Sequence, residues 1–215
     1  MTLKLVEAPE FDKRNGALIE GRCRFWLRRV VPYTAEQLGL VDLTEAGPLP
    51  RVAISRRALL IMHNPSTADA THNDPTMRAV LDFARGWRCC EVTVVNVNPV
   101  RCTNPALLDA PTEAEAIANA GIIAGALDEK PDLIVCAWGA IKRKWFGHVA
   151  GVLEVVRKHA REGQPLGCLG VTKDGHPRHP LFVERTKISD PEPYEPGHFY
   201  QLDPKIEELR RLGRR

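Results

Sequence analysis

The chain has 215 residues, of which 44% are hydrophobic and 27% charged, with a formal net charge of +3. This composition excludes a disordered or fibrous chain, and no apolar stretch approaches the ~20 residues that a membrane span needs. The opening from Met1 to Glu20 is mixed and charged, without a signal peptide, so a cytoplasmic protein with one α/β domain over 1–215 is expected.

Residues 1–20 read as a loose N-terminal arm, 21–183 as the core and 184–215 as an irregular segment followed by a helix. In Gly21 to Val31, Arg22, Arg24 and Leu27 alternate imperfectly with Cys23, Phe25 and Trp26, which reads as a strand ended by Pro32. A loop through Gly47-Pro48-Leu49-Pro50 leads to Arg51 to Met62. The first half of that segment is expected to pair with Gly21 to Val31 as an antiparallel edge, and the second half is the first core strand.

Asp74-Pro75-Thr76 starts a helix, because an Asp side chain accepts from orphan amides and Pro at the first helical position loses no bond. Met77, Val80, Leu81 and Ala84 give its apolar face, and Gly86 is expected to stop it. A strand over Glu91 to Asn96 follows, then a helix opened by Pro111-Thr112-Glu113 and running to about Leu127. Leu133 to Cys136 is a third core strand, Ala140 to Arg161 a helix broken near Phe146-Gly147 or Gly151, and Leu166 to Val171 a fourth strand. The Pro-rich stretch after Pro180 reads as irregular, and Asp203-Pro204 as the start of a final helix.

Four short apolar runs therefore end in polar clusters. Such runs suit strands buried on both faces of a parallel sheet, whose ligands bind beyond the carboxyl ends. The expected architecture is a three-layer α/β/α domain with a central four-stranded parallel sheet, plus an N-terminal antiparallel strand pair.

The first cluster is His63-Asn64-Pro65-Ser66. Pro and Ser turn chains without any chemistry; alternatively Asn64 holds a water or a carbonyl and Ser66 donates to an anion. The second contains Asn96, Asn98, Arg101, Thr103 and Asn104. An Asn amide carries a donor and an acceptor in one plane, which suits the edge of a nucleobase, although Asn98-Pro99 and Asn104-Pro105 are also turn formers. Asn96 continues the inward alternation of its strand. The third cluster is Ala137-Trp138-Gly139, and the fourth, Thr172 to Pro180, brings His176 and His179.

Histidine stabilises a developing anion or carries a proton near neutral pH. A His-x-x-His pair, with His63, His72 and Asp74, also suggests a metal site, but no H-E-x-x-H signature accompanies it. No Walker loop, G-x-G-x-x-G or G-x-S-x-G is present, which disfavours nucleoside triphosphates, dinucleotides and serine-hydrolase chemistry. Six cysteines without C-x-x-C spacing read as reduced structural thiols. The basic residues bunch, as in Lys142-Arg143-Lys144, which permits phosphate contact but also suits a solvated face.

Together, Asn64-Pro65-Ser66-Thr67-Ala68-Asp69, Asp74-Pro75-Thr76, Phe83-Ala84, Val95-Asn96, Ala137-Trp138-Gly139 and Thr172 to Leu181 resemble the bacterial and phage domain-of-unknown-function family 1643. The resemblance runs from Arg22 to about Val183. More distantly, the order of these motifs is similar to that of the uracil-DNA glycosylase superfamily, which has a four-stranded parallel sheet with catalytic motifs on its strand ends. His63-Asn64-Pro65-Ser66 looks like that superfamily's first motif, Asn96 like its base-reading Asn, Ala137-Trp138-Gly139 like its third strand end, and His176-Pro177 like its His-Pro motif.

That likeness implies Asn64 and one of His176 and His179 as catalytic groups, and His63, Ser66, Asn96, Asn98, Trp138 and Gly139 as substrate contacts. Arg101, Lys173 and Arg178 would meet the nucleic-acid backbone. The chain departs from the pattern at Asn64, an amide where a carboxylate often stands, and in its His-Pro-Arg-His-Pro. The expected function is a glycosylase-like protein acting on a modified or damaged base in DNA, with no metal or other cofactor. The alternatives are a non-catalytic nucleic-acid or nucleotide-binding module and a metal-dependent hydrolase.

Overall fold

The structure is a computed structural model, and it describes residues 4–7, 15–34, 54–186 and 188–196. The helix expected from Asp203 lies outside these residues. The strands are β1 (Lys4–Glu7), β2 (Gly16–Glu20), β3 (Cys23–Val30), β4 (Arg56–Met62), β5 (Cys89–Asn96), β6 (Leu133–Cys136), β7 (Leu166–Cys168) and β8 (Glu192–Pro193). The helices are α1 (Pro75–Gly86), α2 (Glu113–Asp128) and α3 (Phe146–His159).

One mixed sheet runs in the order β1-β2-β3-β5-β4-β6-β7-β8. Its centre, β5-β4-β6-β7, is parallel, and the antiparallel strands lie on the two flanks. The continuous apolar character of β4 has a direct cause: Leu59 and Ile61 join the hydrophobic cluster containing α2 and α3, while Ala58, Leu60 and Met62 join the cluster containing α1. Burying each of these larger side chains contributes about 1.5–3 kcal/mol. Helices thus cover both faces, which forces Ala58 to Met62 of β4 to be apolar at every position.

Register decides where the loops meet. Met62 pairs with Asn96, Ile61 with Cys136 and Cys136 with Cys168, so the four parallel strands end together. The chain passes from β4 to β5 on one side and then to β6 on the other. This reversal opens a crevice beyond the ends of β4 and β6.

Helix α1 begins as its sequence dictates, with Asp74 Oδ1 accepting from the Met77 amide at 2.7 Å and Pro75 in the first turn. Its end differs from expectation. Gly86 is the last helical residue, with Ile188 lying where a side chain on it would begin, and the turn is made by Arg88 at φ +57°. Helix α2 opens on a reciprocal cap, Thr112 Oγ1 accepting from the Glu115 amide and Glu115 Oε2 from the Thr112 amide.

The amino-terminal part corrects the expectation in three ways. Residues 4–7 and 16–20 are strands rather than a loose arm. Strand β3 pairs with β5, because β6 already occupies the other edge of β4. The register of β2 against β3 also slips, Leu18 facing Trp26 and Ile19 facing Arg24, so Phe25 is an extra residue. This bulge explains the imperfect alternation, and it sends Phe25 to the α2–α3 side while Leu27, two residues on, joins the α1 side.

Beyond β6, a 3-10 turn over Arg143–Trp145 precedes α3, so the helix starts later than Ala140. Strand β7 stops at Cys168 rather than Val171, as Gly170 takes φ +90°. The Pro-rich tail supplies β8, which covers the edge of β7; Pro193 is acceptable there because an edge position needs no further donor. All six cysteines are free. No helix among the described residues is long and apolar enough to cross a membrane.

Candidate functional site

A cavity of about 880 Å³ lies at the ends of the parallel strands, on the α1 side. Strand β5 delivers Val94 and Asn96, β4 delivers Met62 and the His63-Asn64 turn, β3 delivers Arg24 and Leu27, and the start of α1 closes one wall. Trp138 and Gly139 come from the end of β6, and His179, Leu181 and Phe182 from the segment after β7. Short backbone bonds fix this rim, among them Val97 N to Met62 O at 2.8 Å, Asn98 N to His63 O at 2.9 Å and Gly139 N to Pro177 O at 2.9 Å.

Asn96 is the distinctive wall residue. Its side chain is 1% exposed, and neither Nδ2 nor Oδ1 has a hydrogen-bond partner. Its backbone carbonyl accepts from Asn119 Nδ2 at 2.9 Å, so α2 pins the strand end from the opposite face. A buried amide left unpaired on both atoms costs about 1–3 kcal/mol per group. The arrangement suits a ligand that presents a donor and an acceptor side by side.

Three histidines cluster nearby, and burial lowers the pKa of each. His63 is pushed down to about 4, first by burial and then by His179, His148 and Lys144. His148 is lowered by burial, and His179 by burial against an opposing pull from Asp74. At pH 7 these rings are neutral. His63 packs edge-on against Trp145 with centroids 5.7 Å apart, and its Nε2 is buried without a partner. His179 Nδ1 accepts from the Leu181 amide at 3.3 Å, which places the ring proton on Nε2 and makes that nitrogen a donor.

Asn64 donates through Nδ2 to Cys102 O at 2.7 Å and Pro65 O at 3.1 Å, leaving Oδ1 as the remaining group of its amide. Asp74 is the carboxylate among the described lining residues, and it is engaged by the amides of Met77 and Ala68. Among the described residues, no group of three or more His, Cys, Asp or Glu side chains is placed to hold a metal ion.

Of the residues singled out from sequence, Asn64, His179, His63, Ser66, Asn96, Trp138, Gly139, Lys173 and Arg178 line the cavity, the last two as exposed rim residues. Three do not. His176 is buried against Phe146, with ring centroids 5.8 Å apart, and its amide donates to Thr172 Oγ1. The reason is geometric: Val171 and Pro177 bridge as extended chain, and residues three apart in such a segment point to opposite faces, so His179 meets the cavity and His176 does not. Asn98 is fully buried and structural, its Oδ1 accepting from Val100 N and its Nδ2 donating to Asp109 O. Arg101 is exposed outside the wall, and its amide donates to Arg22 O.

Sequence reasoning does not single out Arg24 or the pair Leu181–Phe182 as site residues, and it weighs Asp74 only as a metal ligand. For Arg24 the signal was the broken alternation of β3. For Phe182, 78% exposed at the cavity mouth, only the fold reveals the position.

A mixed sheet whose aligned parallel strand ends enclose an unsatisfied amide and neutral histidines defines an α/β protein with a cavity at its topological switch point. Residues 50–181 match the family described as a protein of unknown function (DUF1643), and the chain belongs to that family. No curated protein and no solved structure matches the chain.

Proposed function

We propose that the cavity is a nucleobase pocket, and that this cytoplasmic protein hydrolyses or recognises a modified or damaged base in DNA, in the manner of the uracil-DNA glycosylase superfamily. The observation that carries the reading is Asn96, a buried planar donor–acceptor pair without a partner in a cavity that Leu27, Met62 and Val94 also line. A flipped base would present its amide-like edge to Asn96 and its faces to Leu27, Val94 and Met62. Helices on both faces of four parallel strands, with polar clusters on successive strand ends, support the likeness.

Hydrolysis breaks the bond from the sugar carbon to the base nitrogen. The base leaves with the bonding pair, and water supplies hydroxyl to the sugar and a proton to the base. His179 Nε2–H is the donor suited to the negative charge that develops on the base. Asn64 Oδ1 is suited to orient the water. Lys173 and Arg178 at the rim would meet phosphates, and Phe182 is an exposed ring on which a neighbouring base can stack.

The test is single-turnover incubation with labelled single- and double-stranded DNA carrying uracil, mismatched thymine, hypoxanthine or 5-hydroxymethyluracil, followed by alkali. Strand scission that disappears in Asn96→Ala and His179→Ala is the expected result. No scission with any substrate would remove the catalytic half of the reading.

One observation favours a second reading, a binding module without turnover. An amide at Asn64 takes no proton from water, and Asp74 is occupied in capping α1. Under that reading wild-type protein binds DNA in a salt-sensitive manner, and Asn64→Asp gains scission that the wild type lacks.

A further inference from the structure

Strand β3 carries two buried arginines, Arg24 and Arg29, with different fates. Arg29 is fully engaged: Nε donates to Asn73 Oδ1 at 2.8 Å, Nη1 to Arg28 O at 2.9 Å, and Nη2 to the carbonyls of Asp69 and His72. It staples the loop before α1 to the sheet. Arg24 is 4% exposed, yet among the described residues its guanidinium makes a single hydrogen bond, from Nη1 to Ala68 O at 2.6 Å. Its Nε is buried with no partner, and among the described residues no carboxylate forms an ion pair with it.

The charges around Arg24 do not neutralise it. Asp74 and Asp69 act on it from beyond ion-pair distance, while Arg29 and Arg101 oppose them. Burial pulls its pKa down to about 10, so the guanidinium stays charged at neutral pH. A buried cation without a counter-ion is costly unless a partner arrives. Because of the bulge at Phe25, Arg24 lines the same cavity as Asn96, and the two come from neighbouring strands whose register sets Trp26 opposite Val95. A ligand that meets the Asn96 amide therefore shares its cavity with the Arg24 guanidinium.

We infer that Arg24 makes this end of the cavity an anion subsite, and that the base recognised there carries a negative charge on its polar edge, as a carboxylated pyrimidine does. This rests on the reading of the cavity as a nucleobase pocket. Asn96 supplies the donor and acceptor for the ring amide, and Arg24 supplies the charge-assisted donors for the acidic substituent.

Calorimetry of the full chain with uracil, uracil-6-carboxylate, cytosine, 5-carboxycytosine, inorganic phosphate and uridine monophosphate, at fixed ionic strength, tests it. At least one carboxylated base should bind ten-fold or more tightly than its parent. Arg24→Met should abolish that preference, Arg24→Lys should keep part of it, and Asn96→Ala should weaken parent and carboxylated base alike. Equal affinity for carboxylated and parent bases in the wild type overturns the inference while leaving the nucleobase pocket intact, and it needs no variant to fold. A gain confined to phosphate or uridine monophosphate also overturns it, by assigning Arg24 to a phosphate. Absence of binding by every base overturns both readings.

Discussion

A side chain on Gly139 would begin 3.1 Å from the Cβ of His179, and Gly139 itself adopts φ +74°. The end of β6 and the segment after β7 are thus packed so closely that the position of the cavity histidine depends on a missing methyl group. The Gly139 N to Pro177 O bond, 2.9 Å, ties the same two segments together.

Gly139→Ala should destabilise the fold by about 1–2 kcal/mol through the left-handed backbone alone, and it should move His179 as well. Chemical denaturation measures the first effect, and base binding or scission the second. A variant with unchanged stability and function would show that His179 is not held by this contact.

Asn96→Ala should separate stability from function. It removes two buried polar atoms that have no partner, so the ligand-free protein should be as stable as the wild type or more stable by about 1 kcal/mol. Base affinity should fall at least ten-fold. Loss of stability with retained affinity would make Asn96 a packing residue, as read from paired melting and calorimetry.

The two histidines of His-Pro-Arg-His should behave oppositely. If the protein is a glycosylase, His179→Ala should slow single-turnover scission by roughly 10²–10³-fold, the size typical of losing one donor to a developing anion. His176→Ala should leave the rate within a few-fold, because its ring packs on Phe146 away from the cavity. Equal losses from both would contradict this division.

His63 predicts a stability slope with a definite sign. Its folded pKa lies near 4, below the ordinary 6.5, because burial disfavours the charged ring. Between those values the unfolded chain binds a proton that the folded chain refuses, so stability falls as pH drops from about 6.5 to about 4. His148 and His179 are lowered too and add slope of the same sign below pH 6.5. Denaturation midpoints across pH 4–7 should show a shallower loss in His63→Gln; an identical profile would mean that His63 takes up its proton as readily in the folded chain as in the unfolded one.

Phe182→Ala should leave stability within about 0.5 kcal/mol, since the ring is exposed. If the ring stacks on a base, the variant should bind single-stranded DNA about ten-fold more weakly. Fluorescence anisotropy at fixed salt distinguishes this from an unchanged affinity, which would leave Phe182 without a role in binding.

Much of the framework was legible because it depends on local physics. Asp74-Pro75 marked the start of α1 through capping alone, and the continuous runs Ala58 to Met62 and Val92 to Val95 announced strands with both faces covered. Asn96 stood out because a polar residue closed an apolar strand at an inward position. The N-terminal pairing was misread, since the sequence contains nothing to say that β6 would occupy the edge of β4 that the amino-terminal strand was expected to take.

The sequence by itself determined the class of fold, the ends of β4, β5 and β6 and the residues that crowd there, because periodicity, caps and turn residues act over a few positions. The tertiary structure alone decided which of those residues share the cavity. Strand order brought β3 beside β5, the bulge at Phe25 turned Arg24 inward, and the odd spacing across an extended segment chose His179 over His176. Each of those outcomes depends on a pairing between segments tens of residues apart, and such pairings are settled by the burial and hydrogen bonding of the whole sheet rather than by any local stretch of chain.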